Sequence, residues 1–466
     1  MRAVYAASPF LLLLAMFAPN TGVFAATVEP AAAAAKVDPL VEIRETALQS
    51  DQAYALLESL TTDVGQRLAG SANDAKAVAW AKAKFTELGF DRVYTEPVSY
   101  PVWTRGEESL ASLSPSVHQF AVAALGGSMG TGAKGVEAEV LQFNDYKSLS
   151  EAAPGSATGK IVFINYQMLR ARDGSGYGPA VISRVAGASA AAKLGAHAII
   201  IRSIGTDQTR NPHTGVMRYD NTPTRIPAAA IGNIDADLLA ALIKRGKPVK
   251  LKLQLGARTL KGEYLGANVI GEITGSTKPK EIVAIGGHLD SWDLGTGAVD
   301  DGSGVAITMS AAALIGAQAT PPKRTIRVVL FANEEQGVYG GKAYAAARVK
   351  ANEVQQQVIA AESDFGAGRI YSLKTRISEA RLAGLAPLLR ALAPLGITLG
   401  SNDADGSADF SPMQEAGAPV ADLEQDGSNY FDIHHTARDT IDQVDPDDLK
   451  QNVAAYAVFA RFFADE

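Results

Sequence analysis

Two apolar, largely β-branched runs constrain the fold of this chain more than any other feature. Residues 282–287 lead into His288 and Asp290, and residues 328–332 lead into Glu334 and Glu335. Each run is short and continuous, the pattern of a strand buried on both faces. Between them, residues 303–316 are predicted to form one helix, which gives a strand–helix–strand unit of a parallel sheet. In such a sheet, side chains that do chemistry collect at the carboxyl ends of the strands.

Those ends are rich in metal-binding chemistry. Gly297-Ala298-Val299-Asp300-Asp301-Gly302-Ser303-Gly304 follows the first run, Asp364 follows another apolar stretch, and Tyr430-Phe431-Asp432-Ile433-His434-His435-Thr436 with Asp439 comes near the end. Imidazole nitrogen and carboxylate oxygen suit zinc, and an adjacent glutamate pair can supply one ligand and one general base. A carboxylate such as Asp300 can bridge two divalent cations, each completed by an imidazole and another carboxylate. Asp290 and Asp439 are expected to orient metal-bound imidazoles, with turn capping as the alternative. Asp301 and Ser303 stand where a helix begins and suit N-capping. Asp403, Asp405 and Asp409 read as turn and capping carboxylates, and glycine-rich residues 126–132 lack the strand and helix order of a nucleotide loop.

The chain has 466 residues, a formal net charge of −7 and no cysteine. That length predicts more than one domain. The acidic balance argues against a nucleic-acid partner, and without thiols neither a disulfide framework nor a thiolate metal site can form. Arg2, the apolar residues 10–17 and the small residues before Ala26 resemble an export signal, residues 1–25, so the expected location is periplasmic or secreted. The run is short for a membrane anchor, and no membrane association is expected once the signal is cleaved.

Helical spacing is expected over residues 41–64 and 73–88, the second capped by Asn73, and a strand over 90–101. Residues 26–109 would then open the catalytic domain, and 110–262 would form an inserted domain of short strands at 136–143, 160–165, 196–201 and 226–231. Residues 263–466 would complete the catalytic domain, with helices near 380–395 and 447–463.

The order His-x-Asp, Asp-Asp-Gly-Ser-Gly, Glu-Glu, Asp, then His-Thr before Asp-Thr resembles the co-catalytic dizinc exopeptidases, which include bacterial leucyl aminopeptidases and glutamate carboxypeptidase II. The resemblance covers Tyr264 to the end. It implies an α/β fold, a mixed and mostly parallel sheet flanked by helices, and two zinc ions per chain. It also implies His288, Asp300 and Asp364 as ligands of one zinc or a bridge, Glu335 and His435 as ligands of the other, and Glu334 as general base. Thr158-Gly159-Lys160-Ile161-Val162-Phe163 and residues 193–200 look like passages of a protease-associated domain. Within the family the layout looks most like the plasma glutamate carboxypeptidase branch, which implies an often dimeric enzyme that hydrolyses unblocked dipeptides or short peptides.

Where many relatives carry Tyr before the last zinc histidine, this chain has His434, so the oxyanion donor is His434, Tyr430 or the metals alone. Arg376, Arg381 and Arg438 are available to bind a free α-carboxylate, or else lie on the surface. An aminopeptidase of the same family, a glutaminyl cyclase and a non-catalytic binding module of the same fold are the competing readings; the cyclase would hold one metal, and the binding module would have lost ligands or base.

Overall fold

The computed structural model describes residues 15–16, 38–221 and 224–466. The expected export signal lies almost wholly outside them. Residues 38–466 form one compact unit built around two eight-stranded sheets.

After the opening helices comes β1 (Arg92–Thr104), and then the strands of one sheet: β2 (Glu108–Ser114), β3 (His118–Phe120), β4 (Val122–Ala124), β5 (Val136–Phe143), β6 (Ile161–Ile164), β7 (Ala198–Arg202), β8 (Ala228–Ile231) and β9 (Lys250–Leu255). Their order is β3-β2-β9-β5-β6-β7-β8-β4. The chain returns on β10 (Arg258–Ile273), which pairs antiparallel with β1 along most of its length. Then follow β11 (Lys278–His288), β12 (Arg324–Phe331), β13 (Gln357–Glu362), β14 (Ile370–Arg376), β15 (Thr398–Leu399) and β16 (Val420–Gln425). With β1 and β10 they make a mixed sheet ordered β1-β10-β12-β11-β13-β16-β14-β15. Its centre, β12-β11-β13-β16, is parallel.

The β-branched runs earn that central place because both faces are covered. Val283 and Ile285 of β11, with Ile326, Val328 and Leu330 of β12, pack into the core that holds the helices Ser303–Gly316 and Pro446–Asp465. Ile282, Ala284, Val329 and Phe331 point the other way, to Tyr344, Phe410 and Met413. This is the period-two alternation of a strand with apolar partners on both sides. The stretch Ala298–Gly316 is long and apolar enough to cross a membrane, but it is almost entirely buried and behaves as a core helix.

Two local expectations change. Ser71, not Asn73, caps the helix Ala72–Glu87: its Oγ accepts the Asp74 N–H at 3.2 Å, whereas the Asn73 amide turns back to the Gln66 carbonyl. Ser71 has the extended backbone an N-cap requires, and Asn73 is already helical. Asp409 is not a turn residue. It lies fully buried in the helix Ser407–Glu415, accepting the Gly341 N–H at 2.8 Å, while Asp405 does accept the Ser407 N–H in the turn before it.

Candidate active site

Parallel pairing of adjacent strands brings the motif residues together. His288 ends β11, Glu334 and Glu335 follow β12, Asp364 follows β13, and His434 and His435 lie beyond β16, all at the same carboxyl edge. Asp300 stands between the two histidine positions. Its Oδ1 is 3.1 Å from His288 Nε2, and its Oδ2 is 3.2 Å from His435 Nε2. Asp364 Oδ1 approaches His288 Nε2 at 3.4 Å, and Glu335 Oε2 approaches His435 Nε2 at 3.0 Å. Two imidazole–carboxylate groups thus share one carboxylate. Three overlapping triads, Asp300 with His434 and His435, His288 with Asp301 and Asp364, and His288 with Asp300 and Glu335, are each close enough to hold an ion.

The supports are of several kinds. The Asp290 main-chain carbonyl is 3.1 Å from His288 Nδ1, and its side-chain Oδ1 accepts the Glu334 N–H at 2.9 Å. Asp439 does not reach an imidazole, in contrast to the expectation; it accepts the Val299 N–H at 2.6 Å and the Asp300 N–H at 3.3 Å, and so holds the turn that carries Asp300. Asp301 caps the helix behind the site through the Gly304 N–H and also accepts the His288 N–H, both at 3.0 Å. Arg67, fully buried, donates to the carbonyls of Gly65, Leu289, Thr296 and Gly297 and ties down the loop between His288 and Asp300. The Gly-x-Ser-x-Gly pattern at 126–130 is no nucleophile elbow, because Ser128 Oγ is spent on the Met129 carbonyl and the Ala228 N–H.

His435 is held in a left-handed backbone conformation, φ 62°, which costs a non-glycine residue on the order of 1–3 kcal/mol unless neighbours impose it. Thr214, from the half of the chain that builds the second sheet, imposes it. Its N–H donates to the His435 carbonyl at 3.0 Å, and its carbonyl lies 3.3 Å from His435 Nδ1. Gly215 beside it has φ 128°, and a Cβ there would sit 2.7 Å from His435 Nδ1 and 2.4 Å from Arg184 Nη1. Gly215→Ala is therefore expected to weaken metal binding about tenfold or more while the fold persists, checked by metal titration and circular dichroism. Unchanged affinity would deny the glycine this role.

Electrostatics push protons toward the imidazoles. Burial works against protonation of His288 and His435, but Asp364, Asp290 and Asp300 outweigh it at His288 and raise it well above its ordinary value. Glu335 and Asp300 outweigh it at His435 and lift it to about 9. Burial alone would raise Asp300, yet the three imidazoles of His288, His435 and His434 hold it well below the carboxylate range. Glu335 is pushed up to about 7 by burial and by Asp300. Burial, then Asp364 and Glu335, push Glu334 well up despite His288. His434 is the exception: burial, with His435 and Arg184 nearby, keeps it neutral.

The site opens into a cavity of about 270 Å³, lined by Asp300, Glu334, Glu335, Asp364, Phe365, Tyr430, Phe431, His434 and His435, together with Tyr177, Arg184 and Val216 from the part of the chain that builds the second sheet. Those three, with Phe365, Thr214 and Arg67, are the residues that sequence reasoning missed. Arg376, Arg381 and Arg438 are not there. Arg376 donates to the Ala404 and Asp403 carbonyls, Arg381 to Glu466 and the Val358 carbonyl, and Arg438 to Gln443.

The peptidase family M28 matches residues 268–460, the part that carries every one of the motif residues. Carboxypeptidase Q of Mus musculus is 36% identical over 415 residues, 89% of this chain and 86% of that protein. The chain belongs to peptidase family M28. It is a metallopeptidase-type hydrolase of peptides, with relatives on both the carboxypeptidase and the aminopeptidase side: the aminopeptidase YwaD of Bacillus subtilis (strain 168) is 24% identical over 92% of this chain and 87% of its own. A peptidase M28 precursor from Shewanella amazonensis SB2B shares the whole architecture, with a TM-score of 0.90 and 50% identity over 92% of this chain and 96% of its own.

Proposed function

We propose that this family M28 enzyme is an exported, zinc-dependent exopeptidase with two metal ions per chain that hydrolyses dipeptides or short peptides with a free terminus, in the manner of a carboxypeptidase Q-like dipeptidase. The sharing of Asp300 between the His288–Asp364 and His435–Glu335 groups carries this reading. Two ligands about 2.0–2.1 Å from one tetrahedral zinc lie about 3.4 Å apart, close to the 3.0–3.4 Å contacts among these side chains. Asp300 Oδ2 and Glu335 Oε1 also lack any hydrogen-bond partner although both are buried, and a bound cation would satisfy them.

In this reading His288, Asp300 and Asp364 hold one metal and Asp300, Glu335 and His435 the other. Bound there, two divalent cations supply Lewis acidity to the peptide carbonyl and to the attacking water. Glu334, on the cavity wall and bound to neither metal, takes the proton of that water and passes it to the amine as the C–N bond breaks. His434 supports the developing oxyanion. Its ring stacks on His435 with centroids 3.5 Å apart, and its Nδ1 has no partner. Because it is held neutral, it acts as an oriented imidazole rather than as a cation. Phe365, Phe431 and Tyr430, packed in edge and tilted contacts, give the cavity its apolar side.

The unbroken run of β2 to β9, all within Glu108–Leu255, supports reading residues 110–262 as an inserted protease-associated domain. The decisive experiment measures metal content per chain together with cleavage of free, N-blocked and C-amidated dipeptides. One metal per chain, or no cleavage after zinc loading, would defeat the reading. His434→Phe is expected to lower kcat about ten- to a thousandfold with both metals retained and KM little changed. Metal loss in that variant would instead make His434 a ligand or a prop for one.

A further inference from the structure

The chain passes from the first sheet to the second and back at one place. β1 ends at Thr104 and β2 begins at Glu108; β9 ends at Leu255 and β10 begins at Arg258. The two crossings run side by side: the Gly256 N–H donates to the Glu107 carbonyl at 2.8 Å, and a Cβ on Gly106 would sit 2.8 Å from the Gly256 carbonyl carbon. With no cysteine to brace it, such a neck is the kind of short connection about which a body can turn. Yet the body it carries supplies Thr214, whose main chain stays within 3.0–3.3 Å of His435. Some contact has to fix the angle, because a site of this kind needs its side chains held to within about 0.5 Å.

Arg105 stands in that neck and is 8% exposed. Its planar fork is divided among three segments. Nε and Nη2 hold Asp293 at 2.9 and 2.6 Å, Nη1 donates to the Ala124 carbonyl at 2.7 Å, and Nη2 also reaches Thr214 Oγ1 at 3.2 Å. Asp293 lies in the loop between His288 and Asp300, Ala124 ends β4 of the second sheet, and Thr214 Oγ1 donates in turn to the same Ala124 carbonyl at 2.8 Å. Trp292, beside Asp293, packs edge-on against His435 with 5.7 Å between centroids, and against Trp103, whose ring lies 5.2 Å from Arg105 Cζ. Two other charged bridges between these parts of the chain are more open: the side chains of Arg170, paired with Asp432, and Arg172, paired with Asp426, are 43% and 53% exposed. An exposed pair contributes little, whereas loosening one partner of a buried pair is costly.

We infer that Arg105 is a positioning residue for the metal centre: through Thr214 and Asp293 it sets where His435 stands relative to the loop that carries His288 and Asp300. The assignment rests on the two-metal peptidase reading above and adds to it, since the neck of the second sheet then governs one of the two ion sites. His435 is the exposed point of this arrangement, because its left-handed backbone, φ 62°, is imposed by Thr214 and relaxes if Thr214 shifts. His288 ends β11 and Asp364 follows β13, both inside the first sheet. Their ion should be spared.

The test withdraws zinc from the loaded enzyme with increasing chelator. The wild type should release its two ions in two steps, and the step that His435→Ala abolishes belongs to His435 and Glu335. Arg105→Lys keeps the charge facing Asp293 but cannot also span to Thr214. In that variant the His435 step should move about ten- to a hundredfold toward lower chelator while the other stays, and kcat for Ala-Leu should fall about tenfold with KM little changed. Thr214→Val, which removes only the hydroxyl link, should act in the same way, and the double variant should be no worse than Arg105→Lys alone, because both break one chain of contacts. Equal movement of both steps, as a merely structural residue would give, an unmoved His435 step, or effects that add would each overturn the assignment. If Arg105→Lys does not fold, Thr214→Val and Asp293→Asn, which loosen the guanidinium from its two ends, decide by the same criteria. If the wild type releases zinc in a single step, the two-metal reading fails, and crystal structures still judge Arg105: His435 should hold φ near 62° in the wild type and leave it in Arg105→Lys, and an unmoved His435 in the variant overturns the assignment.

Discussion

Glu334→Gln is expected to lower kcat at least about a hundredfold and to leave two metals in place. Glu334 and Glu335 are adjacent, yet they differ in what they touch. Glu335 Oε2 lies 3.0 Å from His435 Nε2, inside the cluster. Glu334 is anchored by its main chain, whose N–H goes to Asp290 Oδ1 at 2.9 Å, and its carboxylate stays half-buried on the cavity wall. Burial and the neighbouring carboxylates Asp364 and Glu335 raise its proton affinity, which suits a group that must accept a proton. The amide is the same shape and cannot take the proton, so only the chemical step should suffer. Metal analysis and steady-state kinetics on one preparation check this. A variant that arrives with less metal would show that Glu334 is a ligand and that the base lies elsewhere.

The catalytic half was readable because its information is local. The β-branched runs at 282–287 and 328–332 specify buried strands, and each strand carries its functional group at its end. Once β12, β11, β13 and β16 lie side by side and parallel, convergence of His288, Glu335, Asp364 and His435 follows from the fold. The residues that escaped notice are those whose partners are distant in sequence. Thr214 reaches His435 across 221 positions, and Arg67 reaches Gly297 across 230. Neither stands in a cluster of His, Asp or Glu, so nothing in its neighbourhood marks it. Arg184 sits in an alanine-rich helix that reads as ordinary packing, whereas Arg376, Arg381 and Arg438 are close in sequence to the motifs and are bound elsewhere. Asp439 shows the same limit at short range. Its proximity to His435 suggested an imidazole partner, but the turn at Val299 and Asp300 has unpaired N–H groups that claim its carboxylate first.

Asp300→Asn should be the most damaging single change to the site, with metal binding weakened about a hundredfold or more and turnover lost to the limit of detection. The other candidate ligands each serve one side of the cluster, whereas Asp300 reaches His288 through Oδ1 and His435 through Oδ2. Its low proton affinity marks it as the one anion on which three imidazoles depend. The amide keeps the shape and the main-chain links to Asp439 but has no charge to share, and its NH2 would replace one of the two carboxylate oxygens that face His288 and His435. The chain has no disulfide to fall back on, so metal affinity should also appear as stability: at a free metal concentration of 100 Kd, one site contributes about 2.7 kcal/mol to the folded state. The wild type is therefore expected to melt at a higher temperature with zinc than with a chelator, and Asp300→Asn at nearly the same temperature in both. Scanning calorimetry with and without zinc, paired with metal analysis, reads both quantities. Two metals retained at wild-type affinity in Asp300→Asn would mean that the shared carboxylate does not bridge, and the two-metal arrangement would have to be built from the remaining side chains.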